Sequence, residues 1–147
     1  MLRSPTVPAA GLIDTGVVFG IVNHRDRWHS ACLEALTAVR VPLLTTEAVL
    51  TEFFHLVASH RCDPEKAWAF VRSGALTVRS IADSDLPQLH ELMVKYRDRP
   101  MDFADATLVH LAARENLSLI LTVDHEDFQT YRIAGRKRFT ILPRTLL

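Results

Sequence analysis

The chain has 147 residues, of which 48% are hydrophobic and 23% charged, a composition that argues against a disordered or membrane-embedded protein. Its 17 basic and 17 acidic residues cancel, so bulk charge neither favours nor disfavours a nucleic-acid partner. The length suits one domain spanning 1–147, with a single core between two layers of secondary structure around a sheet.

Residues 1–10, with two prolines and small side chains, read as a loose leader. Leu12 and Ile13 begin a buried strand ending at Asp14, and Thr15 to Asn23 continue as a helix. The stretch GLIDTGVVFGIV is too short to cross a bilayer. The charge of Asp14 inside it also makes a poor secretory signal, so the expectation is a cytoplasmic protein without a membrane partner. HSACLEALTAV predicts a second helix and VPLLT a short strand. The pattern is helical again from Thr46 to about His60, and Asp63-Pro64 starts another helix with a capping side chain and a proline at the first helical position. That helix is expected to stop near Gly74, and ALTVRSI alternates like a strand. Asp83 or Ser84 is expected to cap a helix running toward Tyr96. PMDFADATLVHLAAR, residues 100–114, reads as a helix, SLILTV as a buried strand and FTIL as a last short one. Helices alternating with short apolar strands predict an α/β fold whose mostly parallel sheet is covered on both faces. Cys32 and Cys62 show no metal-ligand spacing and are expected as free thiols.

In such folds reactive groups gather beyond the carboxyl ends of the strands, and that is where the acids fall. Asp14 ends the first strand, where it could simply cap the next helix, and Thr15 beside it offers similar local bonding. Glu52 lies at the rim of its helix's apolar face, a place usually occupied by a solvated edge residue. Glu47, in the first turn of that helix, reads as a partner of the helix dipole. Asp124 follows the late strand and is trailed by Glu126 and Asp127, all three compatible with turn or cap chemistry. Asp102 and Asp105 resemble a capping box ahead of an apolar run.

Asp105 resists that explanation. On a wheel of about 100° per residue it shares a side with Leu108, Val109 and Ala112, opposite Thr107, His110 and Arg114. A carboxylate on the buried side needs an opposite charge, a metal or a raised pKa, and no Lys or Arg lies one helical turn away. Two unit charges about 5 Å apart repel by roughly 3 kcal/mol at an effective dielectric near 20. Several together would seriously weaken a domain whose net stability is about 5 to 15 kcal/mol. A divalent cation removes the conflict, and an all-oxygen set favours Mg²⁺ or Mn²⁺ over Zn²⁺.

With these segments assembled, LIDTG, LLTTEAVLTEF, PMDFADATLVHLA and LTVDHEDF in this order, the chain resembles the PIN-domain family, and within it the VapC-type toxins of bacterial toxin–antitoxin pairs. The resemblance runs from about Leu12 to Leu142. It implies a PIN-like three-layer α/β fold and a Mg²⁺- or Mn²⁺-dependent endoribonuclease that cuts RNA by a metal-activated water to leave a 5′-phosphate and a 3′-hydroxyl. It implies Asp14, Glu52, Asp105 and Asp124 as catalytic metal ligands, with Asp102, Asp127, Thr15 and Thr122 as accessory positions. It also implies a VapB-type antitoxin partner and a homodimer. The basic residues at 25, 27, 97, 99 and 132–138 are candidates for RNA contact. Two other readings of the same acids are a catalytically inactive PIN module that only binds RNA or protein, and a receiver-like phosphoacceptor. The latter normally pairs acids beside the first strand and places a lysine after a late strand, neither of which is evident here. The histidine pairs His24/His29 and His55/His60 are five apart and do not align on one helical face, and Trp28 and Trp68 read as packing residues.

Overall fold

A computed structural model describes residues 9–144; the expected leader therefore lies mostly outside the described residues. Five strands, β1 (Leu12–Ile13), β2 (Leu43–Thr45), β3 (Leu76–Val78), β4 (Leu119–Leu121) and β5 (Thr140–Leu142), form one sheet in the order β3-β2-β1-β4-β5. Every pairing is parallel. The chain first winds outward from β1 to β2 and β3, then returns to the other side of β1 for β4 and β5. The order thus reverses between β1 and β4, the crevice where open α/β sheets bind their ligands.

Consecutive strand residues face opposite layers, as the two-residue period of a strand requires. Leu12, Leu44 and Ile120 enter one core with Leu108 and Leu111, while Ile13, Leu43 and Leu121 enter the other with Val17, Phe53 and Val57. Helices α1 (Thr15–Val22), α2 (His29–Ala38), α3 (Glu47–Ser59) and α4 (Pro64–Val71) contribute to the second core, and α5 (Leu86–Lys95) and α6 (Phe103–Arg114) to the first. This makes the three-layer arrangement and explains why the strands read as apolar runs. Among the described residues no helix is long and apolar enough to cross a membrane.

Several boundaries differ from the sequence expectation. The alternating run at 75–81 pairs only over Leu76–Val78, because β2 offers it three partners, Leu43, Leu44 and Thr45. The helix begun by Asp63 ends at Val71, and the turn into β3 passes through Gly74 at φ 95°, a conformation glycine adopts without penalty. Neither Asp83 nor Ser84 caps a helix. A 3-10 turn over Asp83–Asp85 precedes α5, and it is Asp85 that bonds back, accepting the Ala82 N–H at 2.8 Å. A short helix, α7 (His125–Thr130), follows β4 where only turn or cap chemistry was expected. Both cysteines are free thiols. Burial pushes the Cys32 thiol up to about 12, with the Asp26 charge adding to the effect, so it stays protonated. Trp28 packs against the second core; Trp68 lies against Phe54 at 4.6 Å between ring centroids but keeps 49% of its surface exposed.

Candidate metal centre

The crevice between β1 and β4 is organised by one buried hydroxyl. Thr122, just past β4, donates to Asp14 Oδ2 at 2.9 Å and accepts the Asp124 N–H at 3.0 Å. Asp14 is also locked from its own side, because its Oδ1 accepts the Thr15 N–H at 2.7 Å and so caps α1. Capping and site formation are therefore one arrangement at Asp14. The close approach depends on Gly16: a Cβ there would come within 2.6 Å of Val123 Cγ2 and push α1 away from the segment carrying Thr122. Despite two hydrogen bonds that favour its charge, burial raises Asp14 to about 6, helped by the charges of Glu52 and Asp102.

Glu52 comes from the second turn of α3. Its Oε2 accepts the Thr15 hydroxyl at 3.1 Å, and burial, then the charge of Asp102, raises its pKa. The start of α3 is set by Thr46, whose hydroxyl accepts the Val49 N–H and meets the Thr107 hydroxyl at 2.8 Å. That contact corrects the expected polar side of α6. Thr107 is fully buried, with its hydroxyl also donating to Ala104 O, so only His110 and Arg114 of the three face outward to any degree. A hydroxyl satisfied by a main-chain carbonyl and a neighbouring threonine carries no charge to exclude it from the interior.

Asp102 caps α6 by accepting the Asp105 N–H at 2.8 Å, as the capping reading expects. Its exposed charge nevertheless bears on all four principal acids, Asp14, Glu52, Asp105 and Asp124. Asp105 itself is 7% exposed. Burial, then the charges of Asp14 and Asp102, push it up to about 8 against the opposing hydrogen bond from Tyr131, whose hydroxyl donates to Oδ2 at 2.9 Å. The remote partner that its buried position demands is thus a neutral phenol, not a cation. Asp124 caps α7 by accepting the Asp127 N–H at 3.3 Å, and its pKa is raised to about 6 by burial and by Asp127 beside it.

Asp105, Asp124 and Asp127 each offer an oxygen within 4.8 Å of the others, the tightest acidic group among the described residues. This set differs from the four acids singled out in the sequence: Asp127 joins it, while Asp14 and Glu52 stand around it, tied to it through charge and through Thr122 and Thr15. Carboxylates alone, without sulfur or imidazole, suit a hard divalent ion such as Mg²⁺ or Mn²⁺. Of the basic candidates, Arg99 reaches this edge, at 3.3 Å from both Asp127 and Glu126. Arg132 turns back onto the carbonyls of Gln129, Thr130 and Tyr131, and Arg25 lines a separate cavity of about 590 Å³ with Arg61 and Lys66. Tyr131 and α7 were missed in the sequence. Six helical residues are too few to show a period, and the one available cue was that a buried acid lacking a nearby cation needs some donor.

A parallel sheet in this order, with acids gathered at its switch point, defines an open α/β fold with a site where such sheets bind their ligands. The PIN-domain family profile matches residues 11–134, and the chain belongs to that family. Among solved structures it is similar to VapC20 of Mycobacterium tuberculosis, a toxin that cleaves the sarcin–ricin loop. The TM-score is 0.70 at 20% identity, over 79% of this chain and 91% of that one. No curated protein matches it in sequence.

Proposed function

We propose that this chain is a Mg²⁺- or Mn²⁺-dependent endoribonuclease, the toxin of a VapC-type toxin–antitoxin pair. The observation that carries the reading is electrostatic: Asp14, Glu52, Asp105 and Asp124 converge on one crevice with raised pKa values, and no Lys or Arg among the described residues forms an ion pair with any of them. Structural carboxylates are ordinarily compensated, and uncompensated ones in a cleft mark a functional site. Membership of the PIN family and likeness to a toxin that cleaves the sarcin–ricin loop support RNA as the substrate. Membership of the PIN family also weighs against a receiver-like phosphoacceptor.

Asp105, Asp124 and Asp127 would hold the ion, with Asp14 and Glu52 at its border directly or through water. When bound, the ion supplies positive charge that lowers the pKa of water and stabilises a phosphoryl group under attack. Thr122 and Thr15 keep the Asp14 and Glu52 carboxylates aimed at the crevice. Arg99, at the edge, is placed to meet a phosphate of the RNA, an interaction that weakens with salt. In this reading the partners are an RNA, a VapB-type antitoxin and a second copy of the chain. The deciding experiment is end-mapping of cellular RNAs after induction of the parent chain and of Asp14→Ala. New 5′-phosphate ends at defined positions, absent with the variant and absent in vitro with EDTA, are expected. Identical ends with parent and variant would remove the nuclease reading.

A further inference from the structure

Tyr131 is fully buried, and its hydroxyl reaches from the end of α7 to Asp105 on α6. Packing alone gives no reason for that hydroxyl. The ring meets Tyr96 and Phe128 edge-on, with centroids 5.0 and 5.1 Å away, contacts that phenylalanine would make equally well. Its backbone is fixed as well: the Tyr131 N–H donates to Asp127 O at 3.0 Å, and the next residue, Arg132, donates its N–H to the Tyr96 hydroxyl at 3.0 Å. One short helix therefore brings Asp124 and Asp127 to the crevice at its start and grips Asp105 at its end. No buried side-chain oxygen among the described residues is left without a partner. Asp105 Oδ1 accepts none of the hydrogen bonds and so keeps some exposure to solvent, while Oδ2 is held by the phenol.

We infer that Tyr131 is a positioning residue of the metal centre, whose hydroxyl fixes Asp105 through Oδ2 and leaves Oδ1 free for the ion that Asp124 and Asp127 would share. The inference rests on the metal-site reading above. A carboxylate held through one oxygen presents the other in a fixed direction, which lowers the ordering cost of taking up an ion. Hydrogen bonds of this kind behind metal ligands are typically worth about 10- to 100-fold in affinity or activity.

The test is calorimetric titration of the full chain with Mn²⁺ alone, for the parent, Tyr131→Phe and Phe128→Leu. Tyr131→Phe keeps the ring and is expected to bind Mn²⁺ about tenfold or more weakly, and to melt somewhat lower in EDTA because a buried carboxyl oxygen loses its donor. It should need correspondingly more Mn²⁺ for half-maximal RNA cleavage, with KM for RNA unchanged. Phe128→Leu disturbs the same aromatic cluster without touching Asp105, so it should melt lower yet keep the parent's Mn²⁺ affinity. Equal Mn²⁺ affinity in Tyr131→Phe and parent would overturn the inference, as would equal weakening in both variants, which would assign the effect to packing. A parent chain that takes up no Mn²⁺ would sink the metal reading and this inference with it, an outcome distinct from the other two.

Discussion

The two ends of α6 show the same side-chain chemistry handled in opposite ways. Asp105, in the first turn, is buried among other acids and pushed up to about 8. At the other end, His110 and Arg114 face Asp85, whose carboxylate accepts the Ala82 N–H and the His110 ring nitrogen at 2.8 Å and the Arg114 guanidinium at 3.1 Å. The backbone bond, then His110, holds Asp85 below the usual carboxylate range. Asp85 has what a structural carboxylate needs: donors, a cation and a fixed geometry. Asp105 has one phenol and several like charges. The contrast between the two acids at either end of α6 is what separates a group that helps the fold from one the fold must tolerate.

The contrast breaks most visibly with Asp105→Asn. It should lower metal-dependent cleavage by about 100-fold or more, comparable to the loss of other groups that stabilise a transition state. The same variant should melt higher than the parent in EDTA at pH 8, since it removes a charge that burial and neighbours disfavour. Loss of cleavage without that gain would mean that Asp105 is structural.

The pH dependence of the metal-free chain sharpens the same point. A carboxyl whose folded pKa lies above its unfolded value binds more proton when folded, so its contribution is fully present below about pH 4 and is lost as pH rises. For Asp14 and Asp124 the loss runs through about 6, and for Asp105 through about 8. Melting in EDTA should therefore fall from pH 5 to pH 8, and a flat or rising profile would contradict the raised values. Asp85 works in the opposite sense: its contribution is present at neutral pH and is lost as pH falls through its lowered pKa.

Asp85→Ala should show the converse of Asp105→Asn, a lower melting temperature with Mn²⁺ affinity unchanged, read by melting and calorimetry on the same preparation. The smallest effect is expected at Arg99. Its pairs with Glu126 and Asp127 are partly exposed and 3.3 Å long, so Arg99→Ala should cost no more than about 1 kcal/mol in denaturant unfolding. It should also reduce the salt dependence of RNA binding by close to one phosphate contact.

Much of this arrangement is legible in the sequence. Apolar strands bounded by capping residues placed Asp14, Glu52 and Asp124 near one sheet edge, because a parallel sheet sends every strand end to the same side. The wheel put Asp105 on the buried side of α6, and it is buried there. What escaped was set by contacts between elements distant in sequence. Thr107 is buried because Thr46, 61 residues earlier, supplies a hydroxyl at 2.8 Å. Tyr131 acts on a residue 26 positions away, and α7, which carries the accessory Asp127 to the cluster, is too short to declare itself by periodicity. The Asp85 network was missed for a related reason: a 3-10 turn turned the expected cap residues into spacers.

The most direct test of the central claim is thermal melting of the parent chain and Asp105→Asn at pH 8 and pH 6, in EDTA and with Mn²⁺. A ligand that binds only the folded state stabilises it by about 2.7 kcal/mol at 100 times its Kd. The parent should gain stability from Mn²⁺ at pH 8, gain less at pH 6 where protons hold the same carboxylates, and the variant should gain little at either. Equal melting of the parent with Mn²⁺ and with EDTA at pH 8 would contradict the account.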